Sequence, residues 1–134
     1  MKRLVIASAG LIGTVAAADD LQGVDRLLCA VSQVIICAEQ SECFTIPAWE
    51  IGVPEFVVVD LAKKTLSTTK ASQENRTTAF TTLSRTDGNI YLQGMENGRA
   101  FSFVIHEQTG NVTVAVSRDG LTVTVFGVCT DADI

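Results

Sequence analysis

Four turn signals dominate the second half of this chain: Asp87-Gly88, Asn97-Gly98, Thr109-Gly110 and Asp119-Gly120. They recur about every ten residues, with short alternating apolar stretches between them, the spacing of an antiparallel meander. A glycine in a tight hairpin takes the positive φ that the turn demands, and Asn or Asp tolerates it beside the glycine. Such a pattern fits neither helices nor a parallel sheet, whose crossovers need a dozen residues or more.

Eight strands are expected, over residues 26–37, 56–61, 65–70, 77–85, 89–96, 99–106, 111–117 and 121–128. Successive side chains on a strand face opposite sides. Phe101, Phe103 and Ile105 therefore share a face, as do Val112, Val114 and Val116, and Leu121, Val123 and Val125. Ser102, Thr113, Ala115, Thr122 and Thr124 take the opposite faces, which is the one-sided burial of an antiparallel sheet. The fold class is all-β: an up-and-down barrel of about eight strands or a strongly coiled meander sheet, with a two-sheet sandwich as the alternative. An eight-stranded interior is just wide enough for side chains or one small ligand. The inward sets are mostly Val, Leu, Ile and Phe, so a packed core is expected in preference to a lipocalin-like cavity.

Met1-Lys2-Arg3, an apolar run from Leu4 to Val15 and Ala16-Ala17-Ala18 before Asp19-Asp20 make the three-part pattern of a cleaved secretory signal peptide. The expected organisation is a signal peptide over residues 1–18 and a single β domain over 19–134. The apolar run falls short of the roughly 20 residues that cross a bilayer, so no transmembrane segment is expected in the mature chain. Asp25-Arg26-Leu27-Leu28 before Cys29 is too charged and bulky for a lipoprotein signal. Cleavage after Ala18 removes Lys2 and Arg3, making a formal net charge of −5 more negative still. An acidic chain lacks the basic footprint of a nucleic-acid binder. The apolar share of 47% suits a globular domain rather than a disordered one.

Cys29, Cys37, Cys43 and Cys129 are the only cysteines. In an oxidising compartment four cysteines default to two disulfides. Cys37 and Cys43 enclose a short polar segment that can turn back on itself. Cys29 lies near the start of the first strand and Cys129 past the end of the last, and these ends meet if the two strands are antiparallel neighbours. The expected pairs are Cys37–Cys43 and Cys29–Cys129, the second clamping the seam of the barrel. Their spacing matches neither a zinc site nor a C-x-x-C redox centre, so no metal and no cofactor is expected.

Chemistry-bearing residues are few. His106 is the only histidine; Glu107 beside it points to the other face, and no serine nearby stands on a nucleophile elbow. No catalytic residue is assigned. Trp49 lies in the segment between Pro47 and Pro54, where proline forbids a central strand or regular helix. It is read as a plug over the open end of the barrel, or as an aromatic contact at a ligand mouth. Glu39 and Glu42 lie on the Cys37–Cys43 loop, whose tether pre-organises it to dock on a basic partner such as the cleft of a secreted enzyme. Arg76, Arg85, Arg99 and Arg118 all fall at strand ends or turns and read as solubilising charges. The triplets Asn75-Arg76-Thr77 and Asn111-Val112-Thr113 match a glycosylation acceptor but sit in a chain whose leader looks bacterial.

The early cysteines Cys29, Cys37 and Cys43, the Arg99-Ala100-Phe101-Ser102 strand after a glycine turn and the ending Val125-Phe126-Gly127-Val128-Cys129-Thr130 together give a resemblance. The chain resembles a group of small exported proteobacterial β-proteins over most of its length after Asp25. That resemblance implies an exported β fold and brings no functional residues with it. A more distant likeness, of architecture only, is to periplasmic barrel inhibitors of lysozyme. The sequence thus leads to an exported, periplasmic or secreted binding or interaction module without enzymatic activity. A lipocalin-like carrier of a small apolar ligand is the second reading, and a hydrolase built on His106 the third.

Overall fold

The structure, a computed structural model, describes residues 20–133; the expected signal peptide lies outside the described residues. Ten strands form one antiparallel sheet: β1 (Arg26–Ala38), β2 (Phe44–Thr45), β3 (Phe56–Asp60), β4 (Thr65–Thr68), β5 (Thr77–Ala79), β6 (Thr82–Thr86), β7 (Asn89–Glu96), β8 (Arg99–His106), β9 (Asn111–Arg118) and β10 (Leu121–Asp131). The hydrogen-bonded order is β5-β4-β3-β1-β10-β9-β8-β7-β6, with β2 paired to β1 off this path. One continuous sheet excludes the two-sheet sandwich. Its terminal strands, β5 and β6, are separated only by Phe80 and Thr81, so the sheet curls into a half-barrel whose borders are linked by the chain although β5 and β6 do not pair. The expected strand 77–85 is in fact bent at this point. The Phe80 N–H donates to Lys64 O beside β4, and the Thr81 N–H donates to Gln93 O on β7, both at 3.0 Å. One stretch of chain thus serves the two borders of the sheet in turn.

The turn signals act as expected. Asp87 and Gly88 both take positive φ, as do Asn97 and Gly98, the requirement of a two-residue type I′ hairpin. Where the reading of strands was too long, a local geometry intervenes. The third strand ends at Thr68, because residues Lys70–Ser72 wind into a 3₁₀ turn. The Pro47–Pro54 segment adds the short edge strand β2 before it and a 3₁₀ turn at Ala48–Ile51 within it.

β1 does not alternate simply, and a β-bulge explains why. Its register against β10 shifts between Val31 and Gln33. Leu27 and Cys29 are buried on one side of the shift, Val34 on the other, so the extra residue reverses the inward parity. The Ser32 hydroxyl donates to Phe126 O at 3.0 Å, and the Val31 N–H donates to Glu55 O at 2.9 Å. The bulge brings the two backbones close at Gly127, where an added Cβ would lie 2.3 Å from Ala30 O. A second close approach lies at Gly94, whose missing Cβ leaves room for the Phe101 ring and the Phe80 backbone.

Both expected disulfides are present, and no described cysteine is free. Cys29 and Cys129 are register partners, with Cα atoms 3.9 Å apart. The expected seam is corrected by this topology. The β1–β10 pair is the longest ladder of the sheet, running from Leu27↔Asp131 to Ala38↔Leu121, and the true join is at β5 and β6. Two disulfides, one of them buried, are the chemistry of an oxidising compartment, and no helix among the described residues is long and apolar enough to cross a membrane.

Two stability outcomes follow. Gly127→Ala forces a methyl against backbone rather than against a flexible side chain, and is expected to cost about 1–3 kcal/mol in urea denaturation. Replacing Cys29 and Cys129 by serine is expected to cost about 4–5 kcal/mol, against about 2 kcal/mol for Cys37 and Cys43, since the closed loops differ greatly in length. Denaturation midpoints of the two double variants check the order.

Candidate functional site: an apolar lumen with one sealed end

The curled sheet has two unlike ends. At the end holding the β6–β7 and β8–β9 turns, packing is complete. Leu21, Leu27, Ile90, Leu92 and Ile105 are fully buried there, together with Val59 and Phe80. The chain before β1 seals this end. Leu21 donates its N–H to Glu107 O at 2.8 Å, and Arg85 holds the segment from the other side. Arg85 donates from Nε and Nη2 to Glu107 Oε2 at 3.1 and 2.8 Å, from Nη2 to Leu21 O at 2.9 Å and from Nη1 to Val24 O at 3.0 Å. Its Nη1 also reaches Asp25 Oδ1 at 3.3 Å. Glu107 is only 8% exposed, and a carboxylate at that depth needs such a partner. Arg85 is therefore no solubilising charge: it locks the lead-in segment over the base of the fold. The real plug is Leu21.

Toward the other end the lumen is not filled. A cavity of about 360 Å³ opens there, within the range of small-molecule sites, and the expectation of a fully packed core is corrected. The cause lies in side-chain size. The inward positions carry Val112, Val114 and Val116 on β9 and Leu121, Val123, Val125 and Gly127 on β10, with Leu121 at the mouth and Gly127 toward the base. Short side chains on adjacent strands leave a gap that Phe101, Phe103 and Leu66 only partly occupy. The wall is apolar to the level of Cys29 and Val57, and the mouth is polar. Thr68, Arg76, Thr78, Glu96, Arg99 and Arg118 line the outer part. The Pro-bounded segment reaches this mouth through Ile51, Gly52, Val53 and Pro54.

Trp49 does not cover the opening. It is 71% exposed and lines a shallow groove on the outer surface with Phe56, Ile46 and Pro47. The reading of Trp49 as a plug is corrected: the 3₁₀ turn points Ile51 toward the core and Trp49 away from it. Glu39 and Glu42 are exposed on the disulfide loop at the mouth end, where the Glu39 N–H donates to Gly120 O at 3.0 Å. Neither carboxylate lines the lumen, so Glu39, Glu42 and Trp49 do not form one site.

His106 is half-buried at the sealed end, where the Thr109 N–H donates to its Nδ1 at 3.3 Å and the Thr109 hydroxyl lies 3.2 Å away. Its ring is engaged within its own turn, and Glu107 faces the other way. Among the described residues no group of three His, Cys, Asp or Glu side chains is placed to hold a metal.

The residues that sequence reasoning did not bring together are the mouth arginines. A signal was available: Arg99 lies two residues before inward-facing Phe101, Arg118 two after inward-facing Val116, and Glu96 two after Gly94. Parity places all three on the lumen side once the register is known. Comparison of the chain with protein-family models, curated proteins and solved structures finds no match.

The sealed end generates one test. Glu107→Gln takes from the Arg85 guanidinium its buried carboxylate, leaving only the exposed Asp25, and is expected to cost about 2–3 kcal/mol. Hydrogen exchange at the Leu21 amide checks it, and faster exchange there than in β9 is the expected sign that the seal has loosened.

Proposed function

We propose that this protein is a non-enzymatic binding module that takes a small ligand with an apolar body into the lumen of its curled sheet. The observation that carries the reading is the cavity of about 360 Å³, walled by valine, phenylalanine and leucine side chains with a polar rim. A concave, mostly apolar site with a few polar groups at its entrance is the usual form of a small-molecule pocket. The disulfide across the β1–β10 ladder and the Arg85 seal hold the wall in place before a ligand arrives. Pre-organisation of this kind lowers the ordering cost of binding. The site works in an exported protein, of the periplasm or beyond. The basic and apolar start of the chain and the two disulfides support that location.

A second reading places a protein partner on the Cys37–Cys43 loop. It is motivated by the exposed Glu39 and Glu42 on a tethered turn. The lumen is favoured because it is a built cavity, whereas the loop offers two solvated carboxylates.

Neutral primary alcohols of increasing chain length test the proposal by calorimetric titration. Each added methylene is expected to tighten binding about fourfold, the equivalent of about 0.8 kcal/mol, until the lumen is full. Val114→Phe fills the cavity from its wall and is expected to abolish binding while leaving the β-sheet circular dichroism unchanged. Alcohol binding that is insensitive to chain length and to Val114→Phe would rule the lumen out.

A further inference from the structure

The mouth of the lumen carries an electrostatic asymmetry that the apolar wall does not explain. Three arginines line it, Arg76, Arg99 and Arg118, against a single carboxylate, Glu96. This cationic rim sits on a chain whose formal net charge is −5.

The register shows how the rim arises. β8 and β9 are paired through Ala100↔Ser117, and the next rung sets Arg99 opposite Arg118. Both share the inward parity of Phe101 and Val116, and both exposed side chains line the mouth of the cavity. Like charges in directly opposed positions repel, and no ion pair among the described residues engages either of them. The ion pairs among the described residues use Arg26 and Arg85 as their cations, and none uses Arg76, Arg99 or Arg118. Glu96 is the register partner of Arg99, yet its Oε2 accepts the Thr78 hydroxyl instead. Arg76 is fixed at the rim from both directions. Its backbone N–H donates to Thr68 Oγ1 at 3.1 Å, and its Nη1 donates to Gly52 O at 2.9 Å. That bond uses one of its five N–H donors and leaves the others for a ligand.

We infer that the ligand is an amphiphile with an oxyanion head, and that Arg99 and Arg118, with Arg76 beside them, hold that head while the lumen holds the tail. This rests on the lumen being a binding site. An oxyanion between two guanidinium groups removes their mutual repulsion and accepts charge-assisted, bidentate hydrogen bonds. The apolar wall accepts only the uncharged part of the molecule, which fixes its direction of entry: tail first, head at the rim. A carboxylate and a phosphate monoester share this chemistry.

The test compares decanoate, decyl phosphate and 1-decanol on the disulfide-bonded protein at low ionic strength, by calorimetric titration. At least one of the two anions is expected to bind about tenfold or more tightly than the alcohol, and the tighter of the two names the head group. Added salt is expected to erode that margin, because it screens the rim. In the double variant Arg99→Gln, Arg118→Gln the margin is expected to fall to about threefold or less, with the alcohol binding as before. Unchanged alcohol binding also shows that this variant is folded. Arg99→Lys, Arg118→Lys is expected to keep much of the preference, since it keeps the charge and loses only the planar fork.

Equal affinity for anions and alcohol in the native protein overturns the head-group assignment and leaves the lumen reading standing. A preference that survives the glutamine variant overturns it as well. Failure of all three compounds to bind overturns the lumen reading and this inference with it.

Discussion

The passage of the chain through Phe80 and Thr81 is the constraint on which the rest of the structure depends. An antiparallel meander can lie open, with two unpaired borders that invite other chains to add to them. Here two residues separate the strand at one border from the strand at the other, so the sheet has to curl. Curling gives it an inside. The inside then needs a base, supplied by Leu21 and the Arg85–Glu107 pair, and it holds a lumen because the inward side chains of β9 and β10 are mostly valine. Phe80 itself is buried, so the closure is packed as well as covalent.

Much of this was legible in the residues. Positive-φ pairs at Asp87-Gly88 and Asn97-Gly98 marked the hairpins, and the alternation in β8, β9 and β10 identified the buried face. The pairing of Cys29 with Cys129 followed from first and last strands being neighbours. What was not legible depends on distance along the chain. Arg85 and Glu107 belong to different strands, and the carbonyls that Arg85 binds come from a lead-in segment more than sixty residues earlier, as the separations of 61 and 64 show. No local pattern announces such a contact. The bulge between Val31 and Gln33 was hidden for another reason: a run of apolar residues conceals a change of parity. The lumen was missed because its existence depends on the sum of side-chain volumes across several strands, and valine reads as core whether or not a neighbour meets it.

The two ends of the fold treat arginine in opposite ways. At the base, Arg85 is surrounded by carbonyl and carboxylate oxygens, and its charge is spent inside the protein. At the rim, Arg99 and Arg118 line the cavity without an ion pair, since the carboxylate nearest in register, Glu96, accepts the Thr78 hydroxyl. Both positions follow from strand parity, and the difference is only whether an acceptor was brought to the same place. A charge satisfied internally stabilises the fold; one left unsatisfied beside an apolar cavity is available to something else.

The longest ladder in the sheet joins the first and the last strand among the described residues. β1 is flanked by β3 over its first half, but its whole length waits for β10, and the Cys29–Cys129 link spans a separation of 100 residues. The consecutive hairpins from β6 to β10 need no such wait, since each pairs with its immediate neighbour. The contacts of β6 to β10 are thus local, and the β1–β10 ladder is the most distant pairing of the sheet, the kind that closes the longest loop of chain. Until β10 is in place, β1 keeps one unpaired edge along an apolar strand, the kind of edge that invites pairing with another chain.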